Sequence, residues 1–266
     1  MKIQGNLLKM RTVQTDPVQY YLSLAGQEIE MNTLIGKKIH FRYLNEIHCI
    51  KCGRKTSKSF AQGFCYPCFR SAPETEECVL RPELCRAHEG IARDMDYARQ
   101  HCLNDHYVYL SFTSGLKVGV TRQSQIPTRW IDQGAVAAIP IAKTPNRYTA
   151  GLIEVALKKH FADKTHWRTM LKDIEPDIDL IRMKREIPQF LPAELSGYYL
   201  EVDEPEQIHY PLDPDKIPLK VSSINLEKTP GISDTLVGIK GQYLIFEHDS
   251  VLNVRTYGGY LVELEF

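Results

Sequence analysis

The chain has 266 residues, 43% hydrophobic and 25% charged, ordinary values for a soluble globular protein and unlike those of disordered, fibrous or membrane chains. Its 33 Lys and Arg balance 33 Asp and Glu, so net charge does not mark a general polyanion binder. No apolar run approaches the roughly 20 residues that span a bilayer. The start, Met1-Lys2-Ile3-Gln4-Gly5-Asn6-Leu7-Leu8-Lys9, has no apolar stretch followed by a small-residue cleavage site, and a cytoplasmic location is the expectation.

Residues 1–48 alternate apolar and polar residues in short runs such as Tyr20–Leu24 and Ile39–Tyr43, separated by Ala25-Gly26 and Ile35-Gly36, which predicts strands and turns. Residues 49–104 hold all seven cysteines and form a Cys-rich module. From His106, two β-rich runs, Tyr107–Phe112 and Leu116–Thr121, flank Thr113-Ser114-Gly115 and predict a hairpin. Ile126–Ile131 reads as a short helix and Ala137–Ala142 as a third strand. A helix is expected from about Tyr148 to Phe161, with Ile153, Ala156, Leu157 and Phe161 on one face. Another is expected from near Lys164, with Trp167, Met170, Leu171 and Ile174 aligned, ending by Pro176. Pro188, Pro192 and Pro205 mark a boundary, and 188–266 reads as a small β-rich domain built from Thr235–Ile239, Tyr243–Phe246, Val251–Val254 and Tyr260–Leu264. The N-terminal strands are expected to complete it, because chain ends often lie together. The expected class is α+β: N-terminal strands (1–48), a zinc-binding module (49–104), a central α+β domain (105–187) and the C-terminal β-domain.

The cysteines fall at 49, 52, 65, 68, 78, 85 and 102. Without a secretion signal, such usage favours metal over disulfides. Cys49-x2-Cys52 and Cys65-x2-Cys68 can each turn two sulfurs toward one point, and Gly53 suits the positive φ that the tight turn needs. Four thiolates make a closed tetrahedral cage, so zinc there is expected to hold the fold rather than do chemistry. The segment 54–64 has room for one hairpin, as in zinc ribbons. A second group, Cys78, Cys85 and Cys102 with one of His88, His101 and His106, offers four donors for a second zinc. Buried free cysteines and surface histidines are the alternative reading.

Charge is unevenly spread. Residues 105–172 hold ten Lys or Arg against four Asp or Glu, and residues 201–266 hold five against twelve. Between Cys49 and Arg70 there are five basic residues, among them Lys51, Arg54 and Lys55, and no acidic one. A basic face for phosphates and an acidic C-terminal part suited to a protein partner are one reading; ordinary solvated surfaces are the other.

Tyr107-Val108-Tyr109, Lys117-Val118-Gly119, Arg129-Trp130 and Glu154 follow one another in an order and spacing that resemble the GIY-YIG endonuclease superfamily over about residues 106–180. In that fold a hairpin carries the two name motifs, a following helix carries an arginine and a later helix carries a metal-holding glutamate. The resemblance implies a metal-dependent phosphodiesterase acting on DNA or RNA. Glu154 would hold Mg²⁺ or Mn²⁺, Arg129 would clamp the scissile phosphate, and Tyr109 or Tyr107 would position or deprotonate water, with Arg122 a further phosphate contact. Lys117 stands where the second motif usually has a tyrosine. It can act as a base only if its pKa falls well below about 10.4, and otherwise it is a phosphate-binding charge, leaving a nucleic-acid-binding protein with a degenerate nuclease fold as the alternative. Taken singly these residues also have structural readings: Glu154 and Lys158 are an i,i+4 pair, Arg129 can stack on Trp130 or pair with Asp132, and the tyrosines alternate along a strand. The whole chain also resembles a bacterial family known only as a domain of unknown function, through the zinc cysteines, Lys117–Arg122, Arg129–Gly134 and Tyr243–Phe246; that resemblance implies no activity.

Overall fold

The computed structural model describes residues 1–172, 178–217 and 220–266. The first part of the chain carries β1 (Lys2–Asn6), β2 (Arg11–Val13), β3 (Gln19–Leu24), β4 (Gln27–Glu30), β5 (Lys38–His48), β6 (Lys55–Thr56) and α1 (Tyr66–Ser71). The middle carries α2 (Met95–His101), β7 (His106–Phe112), β8 (Leu116–Arg122), α3 (Thr128–Asp132), β9 (Ala137–Thr144), α4 (Arg147–Leu157), α5 (Trp167–Met170) and α6 (Leu180–Arg185). The last part carries β10 (Glu206–Gln207), β11 (Ser222–Ser223), β12 (Gly231–Lys240), β13 (Tyr243–Phe246), β14 (Ser250–Asn253) and β15 (Tyr260–Glu265). The protein is a mixed α+β chain with several sheets. Among the described residues no helix is long and apolar enough to cross a membrane. Contacts group the chain into two compact units, Met1–Arg70 with His209–Phe266, and Ser71–Ile208.

In the first unit a large sheet runs in the order β1-β15-β5-β12-β13-β14-β11, with β6 paired to β5, and β2-β3-β4 form a second sheet. N- and C-terminal segments interleave: β15 lies between β1 and β5, and β12 pairs with the other edge of β5. Alternation drives this arrangement. Ile39, Phe41 and Tyr43 of β5 are buried while Lys38, His40 and Arg42 are exposed, so one face of the strand reaches the core. The alternation breaks at Leu44 and Asn45, where Asn45 takes φ +59° and the register against β15 shifts. Such a bulge bends a strand; beyond it β5 ends at His48, and Cys49 follows at once.

In the second unit β7 and β8 form the expected hairpin, and the sheet runs β10-β9-β7-β8, with β9 antiparallel to β7. One face is apolar. Val108, Leu110, Val118, Ile139 and Ile141 pack against Ala150, Ile153 and Leu157 of α4, which covers that face. Asn146 caps α4 by accepting from Thr149 N at 2.9 Å.

Several expected bounds differ. The helix expected to reach Phe161 ends at Leu157, because Ala162 leaves the helical path to accept a hydrogen bond from Val118 N of β8 at 2.9 Å. The helix expected at 126–131 begins at Thr128, after Pro127 in the N-cap position. The helix expected from Lys164 to Pro176 is the single turn α5, its entrance held by His166 N donating to Ser114 Oγ at 2.7 Å; Ile174 and Pro176 lie outside the described residues. The third strand extends to Thr144, and the C-terminal strand expected from Thr235 begins at Gly231.

Candidate metal centres and a candidate active site

Cys49 follows β5, Cys52 and Gly53 close the next turn, and Cys65 and Cys68 stand at the start of α1. Gly53 adopts φ +71°, the positive value expected of it, and its N–H donates to Cys49 O at 2.8 Å. The intervening segment returns through β6, paired to β5, and a Phe60–Phe64 bridge. The four sulfurs all lie within 4.8 Å of one another, with Cys52 Sγ and Cys65 Sγ at 3.8 Å. Burial opposes ionisation of Cys49, but backbone N–H groups of Cys65, Cys52 and Lys51 outweigh it and bring its thiol down to about 6. Hydrogen bonding to the neighbouring sulfurs, Cys52 first, pushes Cys68 up to about 12. Four sulfurs crowded this closely suit a soft divalent cation such as zinc. The nearby basic residues Lys51, Arg54 and Lys55 are exposed, and Lys55 pairs with Glu46 at 2.9 Å.

A second sulfur cluster lies in the other unit. Cys78 and Cys85 sit on successive 3₁₀ turns and Cys102 follows α2, and their three buried sulfurs lie within 4.8 Å of one another. None of the three histidines expected as a fourth donor joins them. His88 stacks on Tyr148 with ring centroids 4.3 Å apart, His101 stacks on Tyr97 and bonds Tyr97 O through Nδ1, and His106 bonds Asn104 O through Nδ1. The residue that does join them was not singled out from the sequence. Arg147, the first residue of α4, donates from Nη1 to Cys78 Sγ at 3.4 Å. Its place at a helix start, where a cation opposes the dipole, is a weak sequence signal that the side chain has another partner.

The sheet of the same unit gathers a third group. Tyr109 is 0% exposed, its hydroxyl donates to Gln133 Oε1 at 2.9 Å, and its ring meets Trp130 edge-on. Across the hairpin stands Gly119, where a Cβ would fall 2.7 Å from both the ring carbon Cζ and the hydroxyl of Tyr109. The absence of a side chain at 119 is therefore what lets the tyrosine lie flat on β8. Burial pushes the Tyr109 pKa up, while the adjacent Arg129 guanidinium opposes the rise.

Lys117, two residues before Gly119, is 4% exposed. Its Nζ donates to Thr165 Oγ1 at 3.1 Å, and Thr165 Oγ1 also meets Thr113 Oγ1 at 3.1 Å. Burial and the Arg129 charge bring Lys117 down to about 8, against the pull of Glu154 and Asp163. Glu154, on α4, is 8% exposed; burial raises its pKa, and Lys158 Nζ, 3.2 Å from Oε2, works against the rise. The i,i+4 ion pair with Lys158 thus exists, but at a buried carboxylate.

Tyr109, Lys117, Arg129 and Glu154 therefore share one electrostatic neighbourhood. Tyr107 and Arg122 keep other company. The Lys143 ammonium stands 5.8 Å over the Tyr107 ring, and Arg122 is half-buried beside Tyr97, Arg147 and Cys102. Gln133, Thr113 and Thr165 were not singled out from the sequence. Gln133 lies within the Arg129–Gly134 run, but the threonines carry no local signal, being brought in by the hairpin turn and the loop after α4.

No curated protein and no solved structure matches the chain. The family model described as "Protein of unknown function (DUF2797)" matches residues 36–262, a span enclosing all seven cysteines and the whole Tyr109 group. The chain belongs to the DUF2797 family.

Proposed function

We propose that this protein is a metal-dependent nucleic-acid phosphodiesterase of GIY-YIG type, working in the cytoplasm, with zinc at Cys49, Cys52, Cys65 and Cys68 as scaffold. The observation that carries the reading is the convergence of Tyr109, Arg129, Lys117 and Glu154 on one partly buried patch beside Gly119. Their order along a hairpin, a helix, a strand and a second helix supports the superfamily assignment of residues 105–187.

Phosphodiester hydrolysis needs a deprotonated water in line with the leaving oxygen and positive charge on the phosphate. Arg129 binds the phosphate through its planar fork, which suits two oxygens at once. Lys117, buried and with its pKa brought down to about 8, is placed to accept the water proton in its neutral form or, when protonated, to bind a phosphate oxygen. The Tyr109 hydroxyl, closed from solvent and donating to Gln133 Oε1, orients that water through the half-buried Gln133. Glu154 is the metal-holding carboxylate, and the donor set fits a hard divalent cation. Glu83 lies close enough to raise the Glu154 pKa by repulsion, and its Oε2 is buried without a hydrogen-bond partner among the described residues. Two crowded carboxylates, one with an unsatisfied oxygen, suit Mg²⁺ or Mn²⁺. Such a cation supplies charge neutralisation at the scissile phosphate.

A second reading, a nucleic-acid-binding protein that does not cut, is favoured by one feature: Lys117 replaces the usual tyrosine and already spends its ammonium on Thr165. The exposed Lys51, Arg54 and Lys55 and the half-buried Arg122 would then serve as phosphate contacts, and the acidic C-terminal segment as a surface for a protein partner.

The test is incubation of the zinc-loaded chain with labelled single- and double-stranded DNA and structured RNA in Mg²⁺ or Mn²⁺, beside Arg129→Ala and Glu154→Gln. Cleavage that both variants lose supports the nuclease. Retention without cleavage, weakening steeply as salt rises, supports the binding protein. Neither signal refutes both.

A further inference from the structure

We propose that Cys78, Cys85 and Cys102 hold a second zinc ion as a three-thiolate centre whose fourth position is open to a small exogenous donor, with Arg147 as its counter-charge. The two sulfur clusters differ in kind. The first offers four sulfurs and closes a tetrahedron, whereas the second offers three. Among the described residues no histidine, carboxylate or further sulfur comes within 4.8 Å of all three. Zinc takes four donors in nearly all its sites, and three protein ligands leave room for water or another small ligand.

Charge argues for the same assignment. Three thiolates and Zn²⁺ leave one negative charge, and a buried uncompensated charge is costly. Arg147 supplies the missing positive charge. Its Nη1 donates to Cys78 Sγ at 3.4 Å, its Nη2 to His101 O at 3.0 Å, and its backbone N to Cys102 O at 2.8 Å. The guanidinium is thereby held by two hydrogen bonds beside sulfurs that are themselves 3–5% exposed. A cysteine triad kept only for packing would not need a buried arginine.

The centre fastens the segment before the hairpin to α4. The turn carrying Pro82 and Glu83, just before Cys85, lies against Gly151, where a Cβ would stand 2.2 Å from Glu83 N. Arg147, one helical turn earlier, holds the sulfurs. The segment that carries the sulfurs therefore meets α4 at two points, Arg147 and Gly151.

The experiment uses the full chain loaded with zinc. Metal analysis should find two zinc ions per chain, falling to one in Cys85→Ser and in Cys102→Ser. Zinc X-ray absorption, summed over the two ions, should show seven sulfur donors and one oxygen or nitrogen donor. In the cobalt-substituted chain, added imidazole should shift the d–d bands of one of the two ions. Arg147→Met should release one zinc to a chelator at least about tenfold faster than the wild type, the scale of losing a supporting group around a metal, and Arg147→Lys should recover part of that difference. One zinc per wild-type chain overturns the proposal. So do cobalt bands that imidazole leaves unchanged, or an Arg147→Met chain that keeps both ions as firmly as the wild type.

Discussion

The four-sulfur cage of the first unit and the Tyr109 group of the second solve opposite problems. The cage draws its ligands from 20 consecutive residues, and two turns, one opened by Gly53 at φ +71°, are enough to aim all four sulfurs at one point. The Tyr109 group draws on β7, β8, α3 and α4, and keeps a lysine, an arginine and a glutamate together in a setting that raises the Glu154 pKa and lowers that of Lys117. In the cage four crowded sulfurs make a set that could hold a cation such as zinc. In the second group burial works against the charged forms of Lys117 and Glu154, so the crowding costs stability.

The sharpest way to break this comparison is to remove the metal. Cys65→Ser should cost the cage its zinc and unfold the ribbon, because binding energy of a structural zinc, roughly 10 kcal/mol or more, is folding energy. Metal content and the far-ultraviolet circular dichroism of the full chain would check it, and a folded, zinc-loaded Cys65→Ser chain would show that the cage is not structural.

Replacing Lys117 should do the reverse. In the unfolded chain this lysine holds its proton up to about 10.5, in the folded one only to about 8. Between those values the unfolded state binds the extra proton, so folding stability should rise as pH climbs from 8 to 10.5. Lys117→Met should therefore be more stable than the wild type at pH 7, by up to about 3 kcal/mol, with the advantage shrinking as pH approaches 10.5. Urea titrations at pH 7 and pH 10 give the answer, and a Lys117→Met chain less stable at pH 7 would mean that the Thr165 hydrogen bond outweighs burial.

Gly119→Ala sharpens the steric half of the argument. A Cβ at 2.7 Å from the Tyr109 ring forces the ring or the hairpin to move, at a cost of about 1–3 kcal/mol in urea denaturation. Unchanged stability would mean that the ring yields freely. The smallest effect is expected for Tyr109→Phe, which strips Gln133 Oε1 of its donor and should cost about 1 kcal/mol. If Tyr109→Phe proved as damaging as Gly119→Ala, the hydroxyl and not the ring would be what holds the group together.

Much of the fold was legible in local pattern. The hairpin was read at its true turn because β-branched and aromatic residues flank Thr113-Ser114-Gly115, and the last three strands because their apolar runs are bounded by turn residues. The end of α4 is not legible there, since apolar periodicity runs on past Leu157 through Phe161 and says nothing of Ala162 bonding β8. The second sulfur cluster was legible in its cysteines but not in its partner, for nothing local in Arg147 announces a thiol 69 residues away.

By itself the sequence determined the four-cysteine cage and the β-hairpin, because each depends on spacing within a few turns of chain, and the order of Tyr109, Lys117, Arg129 and Glu154, which is read off the chain directly. Only the tertiary structure decided that the chain's ends interleave in one sheet, that the three histidines stay away from the second sulfur cluster, and that Lys117 and Glu154 are buried together. The reason is physical: strand pairing, ligand closure and desolvation depend on which distant segments pack together, and spacing along the chain carries no record of that.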